Sequence, residues 1–138
     1  MGVRIVAAVL TVLAVAVPVA AAAAPFNTSQ FYTQTEFERA IKPYTDAIAR
    51  NPNDADAHYW LGVAYLHAYR LARMGLAPYA SGFAPRVEAS LTRALQLRPG
   101  MLGALVALLE FYSISGNDVK WAATLDRLIA LNQPLPLK

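Results

Sequence analysis

Beyond about residue 35, apolar side chains recur at helical rather than strand-like intervals. Phe37, Ala40, Ile41, Tyr44, Ala47 and Ile48 follow i, i+3, i+4, i+7 spacing and share one face of a helix predicted over 35–50. Thr35 with Glu38 offers a capping box for its start. Asn51-Pro52-Asn53-Asp54 ends it, because the residue before a proline is pushed out of helical angles. Asp54 caps a second predicted helix that runs past Tyr65 to Arg73, with Gly75 as its stop. Pro85 suits the first turn of a third, ending near Arg98. Residues 101–115 form an almost wholly apolar fourth, and Gly116-Asn117-Asp118 turns the chain and caps a fifth that ends near Leu131. Residues 132–138, with two prolines, are expected to be irregular. The pattern predicts an all-α protein.

The first 24 residues follow a different rule. Arg4 and the terminal amine precede an uncharged run over 5–17, Pro18 breaks it, and small residues fill 20–24. This is the pattern of an export signal, with cleavage expected after Ala22 or Ala23 because Pro25 disfavours a cut after Ala24; an uncleaved anchor is the alternative. Export implies a periplasmic or secreted protein that meets the membrane only in transit. Residues 25–34 read as an irregular N-terminal segment before a helical domain over 35–131.

That domain repeats itself. Ala40, Tyr44, Ala47, Pro52, Leu61 and Tyr65 recur 47 residues on as Val87, Leu91, Ala94, Pro99, Leu108 and Tyr112. Trp121, Leu125 and Leu128 follow Val87, Leu91 and Ala94 at 34 residues, so an insertion of 13 residues lies near 70–85. Ala40, Tyr44 and Ala47, the turn proline Pro52, and Leu61, Gly62 and Tyr65 resemble the tetratricopeptide repeat, a 34-residue helix–turn–helix unit. The resemblance spans roughly residues 36–131. It implies a short right-handed solenoid of about five helices, or two and a half repeats, whose first repeat keeps only its second helix.

Composition narrows the chemistry. Of the 138 residues 57% are hydrophobic and only 15% charged, which excludes a disordered chain. The absence of cysteine excludes disulfides, thiolate metal sites and a cysteine nucleophile. A net charge of +3 gives no reason to expect a nucleic-acid partner. His58 and His67 are nine residues apart on one helix and face opposite ways, so they cannot share a metal. No nucleophile, acid–base pair, metal set or cofactor motif emerges, and neither an enzyme nor a cofactor is expected. Glu110 stands out as the one charge between Arg98 and Asp118, and the repeat register places it near His67 and Arg70 as an ion-pair or hydrogen-bond partner. Arg70, Arg73, Arg86, Arg93 and Arg98 cluster mid-chain, and Met74, Leu76, Tyr79 and Phe83 make the insertion more apolar than an ordinary connector.

The resemblance implies that first helices line a concave groove. Here the groove residues would be Asp56, Tyr59, Trp60, Val63, Leu66 and His67, then Val106, Glu110 and Ser113. The carboxylate-clamp lysine and asparagine of chaperone-binding relatives are missing, since Asp56, Tyr59 and Val63 stand at those places. The expected function is a non-enzymatic binding or assembly module for a protein or peptide at the bacterial envelope. A solute-binding accessory subunit of a transporter is the alternative, which calls for an enclosed pocket near Trp60, His67 and Glu110. Trp121, Leu125 and Leu128 have no further helix to cover them, so that face is a candidate for docking or self-association, unless Leu135 and Leu137 fold back over it.

Overall fold

The computed structural model describes residues 23–132; residues 1–22, which hold all but the last two positions of the expected export signal, and residues 133–138 lie outside that range. Five α-helices follow in order: α1 (Gln34–Arg50), α2 (Ala55–Arg73), α3 (Ala84–Leu97), α4 (Leu102–Ser115) and α5 (Asp118–Asn132). Among the described residues there is no strand. Each helix packs against its chain neighbours, and α2 also meets α4, which is the stacking expected of a short repeat array.

Local chemistry explains most boundaries. The α1 capping box is built by Thr33 and Glu36, two residues earlier than the Thr35/Glu38 pair of the sequence reading. Glu36 Oε2 accepts from the Thr33 backbone N–H at 2.8 Å, and the Thr33 hydroxyl accepts from Glu36 N. That backbone hydrogen bond leads the causes that hold the Glu36 carboxyl below its usual range. Asp54 caps α2 by accepting from Ala57 N at 2.9 Å. Asn117 Oδ1 accepts from Lys120 N at 3.1 Å at the start of α5. Helices α2 and α4 end alike. Gly75 (φ 78°) and Gly116 (φ 72°) take the left-handed conformation. The following amides, Leu76 and Asn117, reach back to the carbonyls of Leu71 and Tyr112.

The core joins the inward faces of α1 to α4. Val87, Leu91, Ala94, Ala104 and Leu105 are completely buried. The equivalent positions of α5 are not. Trp121 is 38% exposed, Leu125 and Leu128 are half-buried, and only Thr124 of this helix is buried. Within the described residues the C-terminal end of the stack is therefore open.

The N-terminal end is closed, by two segments without long helices. Residues 23–33 form a strap over the place where a first helix of the first repeat would lie. Phe26 is buried, with its ring 5.2 Å from Tyr32, 5.9 Å from His67 and 6.2 Å from Phe37. The strap's main chain is held by side chains from three elements. Tyr44 donates to the Ala24 carbonyl (2.6 Å), His67 to that of Gln30 (2.9 Å), and Tyr79 to that of Tyr32 (3.0 Å). The insertion contributes a 3₁₀ turn (Pro78–Ala80), with Ala77 and Ala80 buried and Tyr79 and Phe83 packed on Phe37.

Candidate functional site

Helices α2 and α4 lie side by side with a recess of about 380 Å³ between them. On α2, residues 59, 63, 66, 67 and 70 fall at i, i+4, i+7, i+8 and i+11 and face one way. On α4, Leu102, Val106 and Glu110 do the same. The helices approach closely where Gly103 meets Tyr59: a Cβ at Gly103 would lie 2.7 Å from the Tyr59 hydroxyl oxygen. Burial holds that hydroxyl above its usual pKa. Thr28 of the strap lines the recess as well.

The recess has an apolar stretch and a polar end. Val63, Leu66, Val106 and Ala107 supply the apolar part, and the high exposure of Val106 (54%) and Leu102 (48%) makes the recess an open groove. At the polar end Arg70 Nη1 donates to Glu110 Oε1 at 2.5 Å, the pairing expected from the repeat register. Arg70 Nη2 lies 3.2 Å from His67 Nδ1. A guanidinium has no acceptor, so Nδ1 must accept, and the ring proton sits on Nε2, which donates to Gln30. The network Gln30–His67–Arg70–Glu110 therefore ties strap, α2 and α4 together. Both members of the ion pair remain about two-fifths exposed. Beyond these contacts, further Arg70 N–H groups and the second Glu110 oxygen have no side-chain partner among the described residues.

Six of the nine groove residues expected from sequence meet here: Tyr59, Val63, Leu66, His67, Val106 and Glu110. Ser113 is exposed outside the lining. Asp56 lies on the same side of α2 but is taken by Arg98, whose two terminal nitrogens donate to its carboxylate at 2.8 and 3.2 Å. Trp60 is half-buried on the core, its ring 4.7 Å from that of Tyr59, and does not line the recess. Sequence reasoning missed Thr28, Leu102, Gly103 and Ala107 as lining residues. Among the described residues no three side chains of His, Cys, Asp or Glu converge to hold a metal.

Comparison with known proteins bears on the helices that carry this site. Residues 29–67 match the family model described as a TPR repeat, a span that takes in the strap's end, α1, the Asn51–Asp54 turn and most of α2. Over these residues the chain is similar to the tetratricopeptide repeat. Neither the curated proteins nor the solved structures gave a match. The matched span contains the stretch from Ala40 to Tyr65 on which the sequence resemblance rests. Repeats of this kind serve protein–protein interaction.

Proposed function

We propose that this chain is an exported, non-enzymatic module of the bacterial envelope, and that the α2–α4 recess receives a segment of another protein. The observation that carries the reading is the convergence of Tyr59, Val63, His67, Val106 and Glu110 on one open groove, with an apolar stretch and a polar end. An extended segment could lay apolar side chains on Val63 and Val106 while its amides bond the Arg70–Glu110 pair. The half-exposed rim favours a chain passing through the groove over an enclosed small solute. Export rests on the residue pattern of the first 24 positions, and places the module in the periplasm or outside the cell.

The test is a photo-crosslinking side chain at Val106 in cells making the full protein. One discrete adduct is expected, lost when Tyr59→Ala and Glu110→Ala are combined. An adduct pattern unchanged by that pair would sink the reading. The open face of α5 belongs to the same proposal as a self-association surface. Sedimentation should show a dimer that Trp121→Glu dissociates, and a wild-type monomer at all concentrations would dispose of it.

A further inference from the structure

The two ends of the helical stack differ in chemistry. Contacts between α2 and α3 run in opposite senses, Asp56 meeting Arg98, Gly62 meeting Leu91 and Tyr65 meeting Arg86. The end of α2 and the start of α3 therefore share one end of the molecule. The strap joins them there, since the Tyr79 hydroxyl donates to the Tyr32 carbonyl just before α1. At the opposite end the α1–α2 link is the polar turn Asn51-Pro52-Asn53-Asp54. The shared end instead exposes large apolar side chains: Phe31 of the strap (68%), and Met74 (65%) and Leu76 (56%) on either side of Gly75. Phe31 sits between the two strap carbonyls held by His67 and Tyr79, and Met74 follows His67 by two helical turns on the same face.

Met74, Gly75 and Leu76 form a tip whose backbone N–H groups all return to α2 carbonyls: Met74 and Leu76 to Leu71, Gly75 to Ala72. Such a tip can enter apolar surroundings without stripping an N–H of its partner. A Cβ at Gly75 would find nothing within 4 Å, so the tip projects rather than lining a groove.

Charge adds to this. From residue 57 to 87 the chain has no acidic residue and carries Arg70, Arg73 and Arg86. Glu110 neutralises Arg70, whereas Arg73 and Arg86 have no carboxylate partner among the described residues. Beside the tip, Tyr69, Arg73 and Ser81 line a pocket of about 320 Å³ that no acid borders. Tyr69 is buried, yet no buried side-chain oxygen lacks a partner, so its unpaired hydroxyl reaches the surface. A guanidinium and two hydroxyls thus offer donors beside projecting apolar side chains.

We infer that this end of the stack docks on the surface of an anionic lipid bilayer. Phe31, Met74 and Leu76 enter the boundary between headgroups and acyl chains, and Arg73 with the Tyr69 and Ser81 hydroxyls takes a lipid phosphate. A bilayer suits a projecting apolar tip, where a protein segment would call for a groove. Residues 5–22 are uncharged throughout and lead into the strap that carries Phe31, so the segment read as an export signal delivers this end to a membrane. Contact with the bilayer then outlasts transit. The proposal does not rest on the α2–α4 recess.

The chain has no cysteine, so a nitroxide can be placed at one chosen position at a time. The full chain is mixed with vesicles of phosphatidylglycerol and phosphatidylcholine, and the label is placed through Met74→Cys, Leu76→Cys or Ala49→Cys. At 74 and 76 it should become accessible to oxygen and shielded from a nickel chelate. At 49, exposed near the opposite end of α1, it should stay aqueous. Arg73→Gln should lower the ratio of docked to free tip about fivefold, the factor for one cation at an anionic surface. Vesicles of phosphatidylcholine alone should lower it further. Labels at 74 and 76 as aqueous as the one at 49 would overturn the docking. Equal shielding on neutral and anionic vesicles, or an Arg73→Gln chain that docks as well as wild type, would overturn the phosphate assignment.

Discussion

Gly62 of α2 lies directly against Leu91 of α3. A Cβ built on Gly62 would fall 2.6 Å from Leu91 Cδ2 and 3.2 Å from the Leu91 backbone nitrogen. Leu91 is fully buried and cannot swing aside, so the approach of these two helices depends on the missing side chain.

Gly62→Val should therefore be strongly destabilising. Overpacking costs about 1–3 kcal/mol, and a β-branched residue regains little helix propensity to offset it. Gly62→Ala should fall between valine and wild type, because alanine recovers about 1 kcal/mol of propensity. Urea unfolding followed by circular dichroism reads both. A valine variant as stable as wild type would mean the helices can separate without loss.

The fold was more legible than the site, for reasons that particular residues show. Helix faces depend on local spacing, so Phe37, Tyr44 and Ala47 announced α1 even across the exposed Pro43 inside it. The capping box slipped by two residues because TQTE and TEFE both satisfy the pattern, and choosing between them takes the docked strap. Trp60 failed as a groove residue on angle alone: one position after Tyr59 turns a side chain about 100° away from the shared face. Asp56 has the right direction, but its charge is consumed by Arg98, 42 positions along the chain. Thr28 was invisible because nothing local says where an irregular segment will lie. The only hint was the absent first helix, which left apolar surface for Phe26 to cover.

His67 gives a prediction about proton placement. At pH 8 a long-range ¹⁵N–¹H spectrum should show its ring as the Nε2–H tautomer. Arg70 Nη2 can only donate to Nδ1, and the Gln30 carbonyl can only accept from Nε2. Observation of the Nδ1–H form would break the Gln30–His67–Arg70–Glu110 chain.

Phe26→Ala should release the strap rather than unfold the stack. The lost ring is buried, but the segment it anchors is short and irregular, and local opening takes the least stable route. Limited proteolysis should cut within 23–33 in the variant and spare α2 to α4. Protection equal to wild type would show that the three carbonyl contacts suffice alone.

Glu88 sets an acid-side dependence of stability. The Lys120 hydrogen bond is the main cause holding its carboxyl below the usual range, with Tyr112 and the Lys120 charge adding to it against partial desolvation. A lowered folded-state value means stability that is present above the ordinary carboxylate pKa and lost as pH falls through the folded value. With the side chain about one-third exposed, solvent screening limits the contribution to less than about 1 kcal/mol. Tyr112 acts at the other extreme. Burial first, then the bond to Glu88, raises its hydroxyl, so its contribution holds below the ordinary tyrosine pKa and is lost as pH rises through the folded value. Glu88→Gln should flatten the stability curve between about pH 5 and 3. An unchanged acid limb would mean that Lys120 and Glu88 gain nothing from each other.

The strap is gripped by its carbonyls, which every residue type possesses, at Ala24, Gln30 and Tyr32. Only Phe26 anchors it through a deeply buried ring. Thr28 can consequently be exchanged for almost any residue without unseating the segment, and each exchange re-cuts one wall of the α2–α4 recess. Where a helix would fix the lining, the first repeat presents a replaceable wall, so a single substitution there can reshape the recess while the stack beneath stays as it is.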